Sequence, residues 1–238
     1  MVKIIKKTSL CYFLVLCCGH LFAQDTRQQL IDHAAIEYLR IAGNQSVLYY
    51  GNEHDGHPRT SNHPYLKDAQ YSKARLSYLR VVYPEVMLRL DLSRNELVIQ
   101  SPELRNFVLF PENVDYAELH GQHIIYFRYD SLPGCPSTGY YVLLHSGKCK
   151  VLEKNSALLM RNNQSTTLDQ YFTLSTNYYL YKDGVYHIIR NKRGLLNVLY
   201  PYKKELKHFI SSHRWRFRHE AAELIAQTVK EYEKLSGL

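Results

Sequence analysis

Apolar residues first recur along the chain at helical spacing. Between 27 and 42, Ile31, Ala34, Ala35, Tyr38, Leu39 and Ala42 stand three and four apart in one stripe, and Gly43-Asn44 follows as a stop. From 47 to about 190 the period shortens. Runs rich in Tyr, Val, Ile and Leu are separated by turn residues every eight to twelve positions, the mark of a mainly antiparallel sheet. The runs predict strands at 75–82, 85–91, 95–100, 105–110, 113–119, 122–129, 139–145, 148–154, 156–161, 177–181 and 185–190. Ser93-Arg94-Asn95, Gly121-Gln122, Ser146-Gly147 and Asp183-Gly184 supply residues that tolerate tight-turn dihedrals. Connections this short favour a meander over parallel βαβ units. The polar stretch from Asn162 to Gln170 reads as a surface loop.

After 190 the helical period returns in Leu195, Leu196 and Leu199, in Tyr202, Leu206, Phe209 and Ile210, and in Ala221, Ile225, Val229 and Tyr232. One short and two longer helices are expected. Pro201 suits a helix start, and Glu220 and Glu223 early with Lys230 and Lys234 late complement the dipole of the last helix. The fold class that follows is α+β, mainly β: an N-terminal helix, a long antiparallel meander forming a curved sheet or half-barrel, and C-terminal helices.

The first 23 residues read as a secretory signal. Lys3, Lys6 and Lys7 form a positive start, Leu10 to Cys18 a short apolar run, and Leu21-Phe22-Ala23 before Gln24 a cleavage site. No later segment has the ~20 continuous apolar residues of a spanning helix. The expected divisions are therefore the signal at 1–23, a helix-plus-sheet domain at 24–190 and a basic helical segment at 191–238 packed on the sheet. Cleavage removes three lysines and no acid, so the formal charge falls from +8 to +5. It also leaves Cys135 and Cys149 as the pair available for a disulfide in an oxidising compartment. A hairpin centred on Ser146-Gly147 does not place them opposite each other, and both a bridge and two thiols stay open.

Several local patterns occur in a shared order. They are Leu48-Tyr49-Tyr50-Gly51-Asn52-Glu53, His63-Pro64-Tyr65, Leu90-Asp91-Leu92 with Asn95-Glu96-Leu97, Gly139-Tyr140-Tyr141, Tyr178 to Leu180, Asp183-Gly184, Leu195-Leu196, and Lys203-Lys204-Glu205-Leu206-Lys207 with Phe209-Ile210. In this order the chain resembles exported cell-envelope proteins of the Bacteroidota that have no assigned activity. The resemblance covers most of the chain after the signal and implies export and fold, with no catalytic residue to carry over. Asn62 departs from it, standing where those proteins more usually have glycine before His-Pro.

Three clusters carry candidate chemistry. Glu53, His54, Asp55, His57 and His63 fall within eleven positions, and imidazoles beside carboxylates are ligands for zinc-like cations. His54, His57 and His63 are the metal candidates, but spacing alone does not make a site, and the expectation is a solvated, hydrogen-bonding loop without a cofactor. From His187 to His219, four lysines and five arginines face Glu205 alone. Lys203, Lys204, Lys207, Arg214, Trp215, Arg216 and Arg218 are the candidate contact set there for an anionic surface or partner. The alternative is a solvated helical face, with His213 to Arg218 a strand-like linker. The 21 tyrosines, Tyr178, Tyr179, Tyr181 and Tyr186 among them, are either core or a sugar-stacking face, with core favoured.

No nucleophile elbow, metalloprotease helix, phosphate loop or dinucleotide fingerprint is present. Glu85, Asp91 and Asp130 are carboxylates whose meeting as an acid/base pair no spacing reveals. The expectation is a non-enzymatic envelope protein, periplasmic or outer-membrane associated, that binds an envelope protein or an anionic envelope surface and not nucleic acid. The rivals are a carrier sheltering a lipid or other apolar ligand in a half-barrel, and a glycan or peptide hydrolase.

Overall fold

The structure, a computed structural model, describes residues 27–162 and 169–237. The signal reading at 1–23 and positions 163–168 of the polar stretch lie outside these residues.

A first helix, α1, covers 27–42, where its stripe predicts it. Leu39 packs on the sheet's core and Asp32 pairs with Arg75 of the sheet, while Leu30, Ile31, Ile36, Tyr38 and Ile41 stay exposed. Ten strands follow: β1 (Ser72–Tyr78), β2 (Val81–Asp91), β3 (Glu96–Gln100), β4 (Asn106–Val108), β5 (Val114–Leu119), β6 (Gln122–Phe127), β7 (Gly139–Ser146), β8 (Lys150–Asn162), β9 (Asp169–Lys182) and β10 (Val185–Ile189). They form one sheet in the order β10-β9-β8-β7-β6-β5-β1-β2-β3-β4, with the neighbouring strands antiparallel. The sheet is thus two meanders, β1–β4 and β5–β10, joined where β1 lies beside β5. Three helices close the chain: α2 (Lys192–Val198), α3 (Lys203–Ser212) and α4 (Phe217–Ser236).

Strand alternation sorts the core into two faces. Leu76, Leu88, Leu97, Ile99, Leu119, Ile124, Tyr140 and Val142 fill the inside of the curve made by β1–β7. Leu144 on β7 joins that cluster to a second on the same side, in which Cys149, Val151, Leu180 and Ile189 meet Leu195, Leu206, Ile210, Leu224, Ile225 and Val229 of the three helices. On the opposite face Tyr141, Leu152 and Tyr186 are buried, with Tyr179, Tyr181, Phe127 and Cys135 packed against them. This tyrosine face is core. Cys135 and Cys149 therefore lie on opposite faces of the sheet, and both are free thiols: the bridge left open by the sequence is not formed. Burial pushes the Cys149 thiol up to about 11.

Both edges of the sheet are covered, as unpaired strand edges require. At β4, Val108 N–H donates to Asn52 O and His54 N–H to Asn106 O, at 2.8 and 2.9 Å. The approach is so close that a Cβ on Gly51 would stand 1.8 Å from Val108 O, so only glycine fits there. At β10, Tyr186 N–H donates to Pro133 O at 2.9 Å.

Several boundaries differ from expectation. The predicted strands 148–154 and 156–161 are one strand, because polar Asn155 and Ser156 pair with polar Thr176 and Ser175 across the hairpin, where Thr176 Oγ1 donates to Asn155 Oδ1 at 2.7 Å. The end of the expected surface loop, Asp169-Gln170, already belongs to β9. The predicted strand 75–82 is broken by a turn at Leu79-Arg80, whose φ values of 52° and 63° are those of a turn that glycine or asparagine usually fills. Helix α3 starts two residues after Pro201, and the expected strand-like linker from His213 to Arg218 is instead a turn at His213-Arg214, two irregular residues and then α4 from Phe217.

Candidate functional site

The candidate site is built on an aspartate at the end of a strand. Asp91 closes β2, and the turn into β3 wraps its carboxylate, with Oδ1 accepting the Ser93 and Arg94 N–H groups at 2.9 and 3.1 Å. Such a turn needs a short side-chain acceptor at its first position. The other oxygen, Oδ2, points into the protein and accepts from two imidazoles, His54 Nε2 at 3.1 Å and His57 Nε2. Asp91 and His54 have fully buried side chains, and His57 is 10% exposed. Burial alone raises an aspartate pKa. Here the hydrogen bonds from His54, the Arg94 amide and His57 outweigh it and hold Asp91 at about 2, ionised under all ordinary conditions.

The segment carrying the histidines is held where it crosses the sheet edge. Its first part covers β4, and its far end docks on β9, where Ser61 N–H donates to Gln170 O at 3.0 Å and Asn62 pairs with Phe172. Between these anchors Gly56 N–H donates to His54 Nδ1 at 3.1 Å, and Gly56 O accepts from the Arg94 guanidinium at 2.6 Å. The first contact assigns the tautomer. Nδ1 of His54 accepts, so Nε2 carries the proton that Asp91 receives. The His57 ring meets Phe172 and Tyr65 edge-on, with centroids 5.2 and 5.8 Å apart.

A fourth group completes the cluster. Glu96 opens β3, its Oε2 lies 3.8 Å from His54 Nε2, and that oxygen is buried without a hydrogen-bond partner. Among the described residues His54, His57 and Asp91 are the set whose donor atoms lie together, all within 4.8 Å of one another.

Of the three histidines singled out from sequence, His54 and His57 are brought together, in a buried cluster rather than a solvated loop. The loop folds back over the β2–β3 turn and buries them. His63 stands apart, its ring stacked on Tyr65 and its Nδ1 accepting the Tyr65 N–H at 3.3 Å. Glu53 is an exposed partner of Arg105, and Asp55 is exposed. Spacing could not find Asp91 and Glu96. The signal present was an acid flanked by leucines at the end of an apolar strand, where an ionisable side chain has to find donors. Glu85, Asp91 and Asp130 are not gathered: Glu85 pairs with Lys73 on an exposed surface, and Asp130 accepts from Leu132 N–H in an exposed loop.

The basic set lies on the helical side of the molecule. Lys203, Lys204 and Lys207 are exposed on α3, whose opposite stripe, Leu206 and Ile210, is buried. Arg214, Arg216 and Arg218 are exposed on the turn and first residues of α4. Trp215 is half-buried and stacks on His213 at 4.3 Å, with Phe209 against the same ring at 4.5 Å. Among the described residues no lysine or arginine from Arg190 to Arg218 forms an ion pair, although ten ion pairs involving lysine, arginine or histidine occur elsewhere on sheet, loops and helices, Arg75–Asp32 and His145–Glu233 among them. No helix of the described residues is long and apolar enough to cross a membrane. No family model, curated protein or solved structure matches the chain.

Proposed function

We propose that the chain is an exported cell-envelope protein, periplasmic or outer-membrane associated, that works as a non-enzymatic binding module and engages an anionic envelope surface through its basic helical side. The observation that carries this reading is unspent charge. Lys203, Lys204, Lys207, Arg214, Arg216 and Arg218 are exposed, no carboxylate among the described residues is paired to them, and Trp215 stands among them. Surface cations worth about 1 kcal/mol each near an anionic layer add up only where they are not already neutralised. Export rests on the lysine-rich start and apolar run of the first 23 residues. The test is co-sedimentation with vesicles containing anionic phospholipid against vesicles of neutral phospholipid. Binding to the anionic vesicles alone, lost on reversing Lys203, Lys204, Lys207, Arg214 and Arg216 to glutamate, is the expected result. Equal recovery of wild type and variant overturns it.

A second reading, a carrier of an apolar ligand, draws on a different place. The inside of the sheet's curve is packed with side chains, Leu76, Leu88, Leu97, Ile99 and Ile124 among them. An open groove of about 750 Å³ does lie between α1 and the β1–β2 turn, lined by Ile31, Ala34, Tyr38, Leu79 and Val81. That volume is in the range of small-molecule sites. Mass spectrometry of lipids that co-purify with the chain separates the two readings.

A further inference from the structure

The geometry points to a binding site for one divalent first-row cation, zinc by the chemistry of its donors, formed by His54, His57, Asp91 and Glu96 where the 51–66 loop closes over the β2–β3 turn. Three observations carry it independently of the basic surface. The first is convergence. Two imidazole Nε2 atoms and Asp91 Oδ2 lie within 4.8 Å of one another, and Glu96 Oε2 is 3.8 Å from His54 Nε2. Two nitrogens and two carboxylate oxygens make a tetrahedral donor set of the kind zinc accepts.

The second is charge. Two carboxylates enter this cluster, and among the described residues no lysine or arginine forms an ion pair with either. The nearby Arg94 guanidinium is turned to Gly56 O. Asp91 Oδ2 has two donors, but Glu96 Oε2 is buried with none, and a buried acceptor left unmet is costly. A cation among the four atoms meets that oxygen and offsets both carboxylates at once.

The third is the outer layer. The Ser93 and Arg94 amides hold Asp91 Oδ1, so its Oδ2 is aimed at the two rings before any ion arrives. His57 is packed between Tyr65 and Phe172. Both rings give up the Nε2 proton that Asp91 Oδ2 now accepts, and at His54 the exchange disturbs a second contact. In the arrangement seen, Gly56 N–H donates to His54 Nδ1 and the ring proton is on Nε2. An ion on Nε2 moves that proton to Nδ1 by exchange with water, and a protonated Nδ1 cannot face an N–H. The Gly56 amide must turn away, and Gly56 is suited to this: its φ is +75° and a Cβ there would meet nothing within 4 Å. Cation binding and the Gly56–His54 hydrogen bond therefore exclude each other.

The test is calorimetric titration of the full chain, stripped with chelator, with ZnCl2 at neutral pH, beside the variants H57Q and E96Q. One ion per chain is expected, with affinity at least tenfold weaker in each variant and a shift of the Gly56 amide resonance at one equivalent. Metal-free E96Q, which removes no hydrogen bond seen at Oε2, should melt as the wild type does, so its loss of affinity is not a loss of fold. Absence of stoichiometric binding by the folded wild-type chain overturns the site. So does binding that survives either substitution undiminished, because exposed histidines then account for it.

Discussion

Asn62 pairs with Phe172 as a neighbouring strand would: its side-chain Nδ2 donates to Phe172 O at 2.8 Å and its Oδ1 accepts the Phe172 N–H at 2.7 Å. One amide side chain thus replaces a stretch of backbone at the β9 edge, 110 positions away in sequence. It also pins the histidine loop, because Phe172 packs against His57. Asn62→Ala removes both bonds and leaves a half-buried amide unmet, at a cost of about 1–3 kcal/mol. Hydrogen exchange should show the Phe172 and Gly56 amides losing protection while β1–β3 keep theirs; unchanged exchange at both would falsify the anchoring role.

Glu233 joins α4 to the β7–β8 hairpin. Its carboxylate accepts the Cys149 N–H at 2.7 Å and pairs with His145 Nε2 at 2.9 Å. Glu233→Ala leaves that amide without an acceptor beneath the helix and is expected to lower stability by about 1–3 kcal/mol in urea unfolding. Glu233→Gln, which keeps an acceptor for Cys149, should recover part of the loss.

Lys154 predicts a pH effect of unusual sign. Burial lowers its ammonium from the ordinary 10.5 to about 8, although its Nζ donates to Asn95 Oδ1 and Tyr140 O and lies 4.6 Å from the Tyr141 ring. Between about pH 8 and 10.5 the unfolded chain binds more protons at this residue than the folded one, so its contribution raises stability as pH climbs through that window. At pH 7 the folded protein carries the full cost. Lys154→Met is therefore expected to be more stable than wild type at pH 7, by roughly 1–3 kcal/mol, with the gap narrowing as pH rises from about 8 to 10.5. A destabilised variant would mean that the bonds to Asn95 and Tyr140 outweigh the desolvation.

Reversal of the five basic residues on α3 and the following turn should leave the fold untouched. All are exposed and none forms an ion pair among the described residues, so each reversal is expected to change unfolding stability by no more than the ~0.5 kcal/mol typical of surface changes. Wild-type binding to anionic vesicles should fall steeply between low salt and about 0.5 M, where charges more than a few ångströms apart are screened. Salt-independent binding would assign the contact to Trp215 and its aromatic neighbours instead.

Local pattern was enough to read most of the architecture. Alternation in Leu76 to Tyr78, the apolar run Ile124 to Tyr126, the glycine-bearing turns at His120-Gly121 and Asp183-Gly184, and the leucine stripes after 190 each act within a few residues, which is the range over which period and turn chemistry work. Where a local rule was broken, the reading slipped, as at Leu79-Arg80, where the turn has no turn residue, and at Asn155-Ser156, where polar partners across the strand keep a polar run extended. The site lay further out of reach. His54 and His57 were visible as a pair, but Asp91 and Glu96 join them across more than thirty positions, and burial of both rings depends on a loop pinned by Asn62 to a residue 110 positions on. Period and composition set which face of each strand is apolar. Which buried polar groups meet is set by chain reversals and long-range hydrogen bonds, and these exist only once the sheet has curled and the loop has closed over it.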